Sequence, residues 1–144
     1  MKRIISAFSA FMLTVFFMLA AGDYAMGQSA CVKNTIEAHN NNKQVYEKYL
    51  SQLTAIHIIC GDANGGGHKK QFPGTWSIEE ILDFIVDTVK YKSHYRKPHL
   101  KSPDTKDVIM YYDSLPGTYN NLMIVLEKYK DHIITAYPFE SKKK

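Results

Sequence analysis

Residues 118–137 read TYNNLMIVLEKYKDHIITAY. Two runs rich in aliphatic and β-branched residues flank Lys130-Asp131, which predicts strands over 118–129 and 132–137 folded back as a hairpin. Just upstream, VIMYY at 108–112 predicts another strand, set apart by the turn signal Pro116-Gly117. Earlier residues have a helical character. Ser77 and Glu80 have the spacing of a capping box, and Ile78, Ile81, Leu82, Ile85 and Val89 recur on one face behind it. Residues 33–53 also read as helical from Ile36, Tyr46, Tyr49, Leu50 and Leu53, with Asn40-Asn41-Asn42 as a point of splitting or kinking. Helices first and strands last predict an α+β fold, in which N-terminal helices lead into antiparallel β-sheets.

The start of the chain has a different pattern. Lys2 and Arg3 precede an apolar run from Ile4 to Ala21, with small residues beyond it. This predicts a secretory signal peptide over residues 1–27, which leaves one domain over 28–144. A retained membrane anchor and a lipoprotein signal ending at Cys31 are the alternatives. Against them, Ser6, Ser9 and Thr14 interrupt the apolar run, and Gln28 stands where an aliphatic residue is usual. The expected location is secreted or periplasmic, with no membrane contact after cleavage. In an exported chain Cys31 and Cys60 are most simply a disulfide, worth about 3–4 kcal/mol in the chain-entropy model. Cys60 as a nucleophile beside His57 is the competing reading.

The net charge of +4 is mild and permits a polyanionic partner without demanding one. The basic residues are unevenly spread. Lys90, Lys92, Arg96, Lys97, Lys101 and Lys106 fall close together, interleaved with Tyr91, His94, Tyr95 and His99. Such a stretch reads as a solvated loop or as a track for a phosphate backbone with aromatic platforms.

Between the helical regions lies HIICGDANGGGHKK, residues 57–70. Gly65-Gly66-Gly67 runs into His68 and not into Gly-Lys-Ser/Thr, which excludes a phosphate-binding P-loop. Asp62 stands where its carboxylate would organise a turn. Glycines allow close approach of backbone to a ligand, so the loop could hold His57 and His68 across a cleft. Two imidazoles suit a reaction that needs a base and an acid in one turnover near neutral pH. RNA transesterification is such a reaction, because its nucleophile, the 2′-hydroxyl, is already in the substrate. A zinc site is the chemical rival, but no short ligand spacing is present and no metal ligands are assigned. Two structural histidines are the plainest alternative.

Several motifs occur together: His57-x3-Gly61-Asp62, Gly65-Gly66-Gly67-His68, Phe72-Pro73 with Trp76-Ser77, and Ile134-Thr135-Ala136-Tyr137-Pro138. In that order they resemble the bacterial EndoU-type endoribonucleases, known as secreted or polymorphic toxin nuclease domains and similar to the uridylate-specific endoribonucleases of nidoviruses and animals. The resemblance covers roughly residues 55–138. It implies an EndoU-like α+β fold and cleavage of RNA 3′ to uridine, leaving a 2′,3′-cyclic phosphate. Position by position it implies His68 as general base and His57 as general acid. It also implies that Thr135 and Tyr137 line the active site, with the Tyr ring against the nucleoside. Gly66 and Gly67 would bring backbone N–H groups to the phosphate. The lysine that many EndoU enzymes use to neutralise the transition state has no aligned counterpart; Lys101, Lys106 and Lys128 are the candidates. No cofactor is required on this reading, although the resemblance brings in manganese, on which some members of that family depend.

Two classes of function follow. The first is a secreted RNase, a toxin whose partners are RNA and a cognate immunity protein. The second is a non-catalytic secreted module of the same fold that binds RNA or protein through residues 90–106.

Overall fold

The computed structural model describes residues 30–62 and 65–141, so the leader expected at 1–27 lies outside the described residues. The described residues open on a helix over 30–41 (α1), which breaks at Asn42 and is followed by the short α2, Lys43–Tyr46. The asparagine run therefore divides the expected helix. A third helix, α3, spans Gln52–Cys60, where the sequence reading had only the approach to a loop. Its β-branched and aliphatic residues disguise it, but its ends are marked. The Ser51 hydroxyl accepts the Thr54 N–H at 3.1 Å, and Gly61, at φ 79°, closes the helix with its N–H on the His57 carbonyl.

Two very short strands, β1 (Gly61–Asp62) and β2 (Gly65–Gly66), pair antiparallel across the glycine loop. The capping box then starts α4, Ile78–Tyr91. The Glu80 N–H donates to the Ser77 hydroxyl at 3.1 Å, and the Ser77 N–H donates to the Glu80 carboxylate at 2.6 Å. Ile81, Leu82, Ile85 and Val89 are buried, as the periodicity predicts; Ile78 is partly buried, and Val86 joins the buried face.

The rest of the chain is an antiparallel sheet of β3 (Arg96–Pro98), β4 (Lys106–Tyr111), β5 (Asn121–Glu127) and β6 (Ile133–Phe139), in that spatial order. The fold is α+β, with helices followed by an antiparallel sheet, and the predicted hairpin of the last two strands is present. The strand β3 lies inside the basic stretch that reads as a loop, and its pairing with β4 comes from across the fold. Pro138 falls on β6, an edge strand, where its missing N–H leaves no gap in a central ladder.

One face of the sheet packs on the helices. Ile109, Ile124 and Ala136 form a row across β4, β5 and β6, all fully buried with α3 and α4 residues in one hydrophobic cluster. Burying each of the two isoleucines stabilises the fold by about 1.5–3 kcal/mol. The Cys31–Cys60 disulfide is formed, with 5.9 Å between Cα atoms, and ties α1 to the end of α3. No helix among the described residues is long and apolar enough to cross a membrane.

Candidate active site

Period-two alternation along β6 is interrupted. Leu126 pairs with Ile133, yet Val125 pairs with Thr135, so Ile134 is an extra residue in a β-bulge. Ile133 and Ala136 can therefore both face the core, three positions apart. From the bulge onward, Thr135 and Tyr137 point to the opposite face of the sheet. There Val108, Val125 and Thr135 form one row, and Met110, Met123 and Tyr137 the next. The Tyr137 hydroxyl donates to the Met123 sulfur at 2.8 Å, which lays the ring across β5.

His68 reaches this face from the glycine loop. Its N–H donates to the Ile58 carbonyl at 2.7 Å, fixing the backbone against α3. A single 3-10 turn, Lys69–Gln71, then brings the Gln71 side chain back to it. Nδ1 of His68 donates to Oε1 of Gln71 at 2.9 Å. An amide oxygen only accepts, so Nδ1 carries a proton, and whenever the ring is neutral its lone pair is on Nε2. The ring centroid lies 5.2 Å from that of Tyr137, tilted by 37°. His68, Tyr137 and Thr135 thus share one surface.

The glycines have a local reason. A Cβ on Gly67 would stand 2.5 Å from the Ile59 carbonyl oxygen and 2.6 Å from the Cys60 carbonyl carbon. Only a glycine lets the loop lie on the C-terminal turn of α3. Gly66 pairs with Gly61 in the small ladder. The Asp62 side chain, expected to organise this turn, lies outside what is described.

His57 lies on the opposite side of α3 from Ala55, Ile58 and Ile59 and is exposed. The backbones of the two histidines adjoin through the His68–Ile58 hydrogen bond. No hydrogen bond or ring contact joins the two imidazoles among the described residues. A further histidine, His39, is fully inside, with Nε2 donating to the Leu50 carbonyl at 2.8 Å; it is a structural residue.

The candidate lysines differ in their engagement. Lys106 pairs with Glu127 in the ladder and lies on the Thr135 face, two residues along β4 from Val108. Lys101 is exposed in the turn between β3 and β4. Lys128 is occupied, since its ammonium donates to Asp107 at 3.0 Å. Arg96 is occupied too, donating to Asp107 at 2.8 Å, to Asp131 at 2.9 Å and to the carbonyls of Glu127 and Lys130. Burial alone would raise the Asp107 carboxyl, but the hydrogen bonds from Lys128 and Arg96 outweigh it and hold the group below the usual carboxylate range. Arg96 of the basic region and Lys128 after β5 thus brace the sheet.

Among the described residues no cluster of three His, Cys, Asp or Glu is placed to hold a metal ion. The sequence reading missed Gln71, although the spacing His-x-x-Gln could have suggested a side chain returning over one tight turn. Compared with known proteins, the chain matches no protein-family model, no curated protein and no solved structure.

Proposed function

We propose that the chain is an endoribonuclease of the EndoU type that cleaves single-stranded RNA 3′ to uridine. The observation that carries this reading is the His68 imidazole, held through Nδ1 by Gln71 and packed on Tyr137 beside Thr135. In its neutral form an imidazole held this way has Nε2 as its basic atom and acts as a general base. Nε2 of His68 takes the proton of the 2′-hydroxyl, and the 2′-oxygen attacks phosphorus. The bond to the 5′-oxygen breaks, and His57 as imidazolium supplies the proton to that oxygen. The products are a 2′,3′-cyclic phosphate and a 5′-hydroxyl. Thr135, Lys106, Lys101 and the backbone of Gly66 and Gly67 hold the phosphate, and Tyr137 faces the base. Manganese is a possible stimulant. Secretion, a toxin role and an immunity protein as partner belong to the same proposal.

The test is cleavage of a DNA oligonucleotide with a single ribouridine by the full chain, expressed under oxidising conditions, with and without manganese. A cyclic-phosphate product that is lost in His57→Ala and in His68→Ala supports the reading. His68→Ala is expected to lower turnover about 10²–10⁴-fold without loss of fold.

One observation favours a second reading. The exposed His57 ring makes no contact with His68, as suits a binding module with no acid–base pair. In that case both alanine variants keep RNA affinity, and the parent chain cleaves neither the oligonucleotide nor folded RNAs.

A further inference from the structure

The sheet face that carries Thr135 and Tyr137 continues past them. The row Tyr137, Met123, Met110 crosses β6, β5 and β4, so Met110 lies about 10 Å from Tyr137 at the usual strand spacing. Beyond it a cavity of about 250 Å³ is lined by Tyr95, Lys97, Val108, Met110 and Tyr112. Its floor is apolar, and its walls are two tyrosine rings that remain 43% and 54% exposed. Both rings are braced from behind: Tyr95 stacks on Tyr111 at 6.2 Å, and Tyr112 meets the edge of Phe139 at 6.0 Å. Lys97 is exposed and makes no ion pair among the described residues. Lys106 stands on the same face, and the carboxylate of Glu127, its neighbour across the ladder, is paired with Lys130 at 3.0 Å.

We propose that this cavity is a second nucleobase subsite, which takes a base of the substrate strand neighbouring the uridine held at Tyr137. The inference rests on the nuclease reading for its ligand. An apolar floor with fixed aromatic walls stacks any base, and an unpaired ammonium beside it meets the phosphate that accompanies the base. The arrangement gives the enzyme a preference for length with little preference for the identity of the flanking base. It also assigns the basic segment two separate uses, with Arg96 bracing the sheet and Lys97 facing the strand.

The experiment measures binding of a labelled 2′-O-methyl hexauridylate, which cannot be cleaved, to the full chain. Tyr112→Ala is expected to weaken binding about tenfold, and Tyr112→Phe, which keeps the ring, to restore it. Lys97→Ala should weaken binding several-fold and flatten its salt dependence. The advantage of the hexamer over a uridine dinucleotide should fall in parallel. An iodouracil placed beside the uridine should crosslink to Tyr95 or Tyr112, which reads the contact directly even if a variant misfolds. Equal binding by Tyr112→Ala, equal losses for Ala and Phe, or a crosslink elsewhere on the protein overturns the subsite. Absence of oligonucleotide binding overturns it as well and points to a protein on this face. Tyr112-dependent binding without any cleavage of ribouridine leaves the subsite standing and sinks the nuclease reading instead.

Discussion

Met123 and Ile124 are neighbours in β5 and face opposite ways. Ile124 is fully buried between Ile109 and Ala136, against the helices. Met123 is partly exposed, accepts a hydrogen bond from Tyr137, and lies between a histidine and a tyrosine-lined cavity. The centre of one face is aliphatic and sealed, as a core must be. The other face mixes methionine, tyrosine, threonine and lysine with the buried valines Val108 and Val125, and so offers rings, hydroxyls and charge. An antiparallel sheet can leave one face to solvent, and here that face collects the candidate chemistry.

The largest expected effect tests this contrast on stability. Ile124→Ala should cost about 2–5 kcal/mol in urea unfolding, because it opens a cavity that cannot collapse. Thr135→Val, on the other face, should stay within about 0.5 kcal/mol while it lowers ribouridine cleavage. Equal destabilisation by the two would mean that the second face is also core, and the distinction would break. Replacing Cys31 and Cys60 together by serine should cost about 3–4 kcal/mol, seen as a lower unfolding midpoint. That loss would test the anchoring of α3, and with it the platform on which Gly67 and His68 rest.

The Asp107 network sharpens the comparison from the edge of the sheet. Its carboxyl is held below the ordinary value of 3.8, so the unfolded chain binds the proton more readily than the folded one. The stability it contributes is complete above that value and is lost as pH falls through the depressed folded range. Acid unfolding of Asp107→Asn should lack this component, and at neutral pH the variant should be about 1–3 kcal/mol less stable, since Lys128 loses its charged partner and Arg96 one of its two. Smallest of all, Ser77→Ala should cost about 1 kcal/mol by removing the cap of α4, with no change in oligonucleotide binding.

Much of this was legible in order along the chain. The capping box at Ser77 and Glu80 and the apolar face behind it are local, and local rules found them. The three later strands and the α+β class follow from alternation and turn residues for the same reason. Helix α3 was not legible, because Ile56, Ile58 and Ile59 carry no helical periodicity; its caps, Ser51 and Gly61, were the available signals. The strand β3 was hidden in a basic stretch, since its partner residues lie on β4.

By itself, then, the sequence determined the α+β class, helix α4 and the three later strands, the cysteine pair, and that Thr135 and Tyr137 share a side of their strand. Only the tertiary structure decided which side that is, because the bulge at Ile134 resets the alternation and its register is set by β5. It likewise decided that Gly67 meets the backbone of α3, that Gln71 sets the proton on His68, and that Arg96 and Lys128 are bound to Asp107. Each of these depends on groups brought together by packing and register, and periodicity along one segment carries no information about what will pack against it.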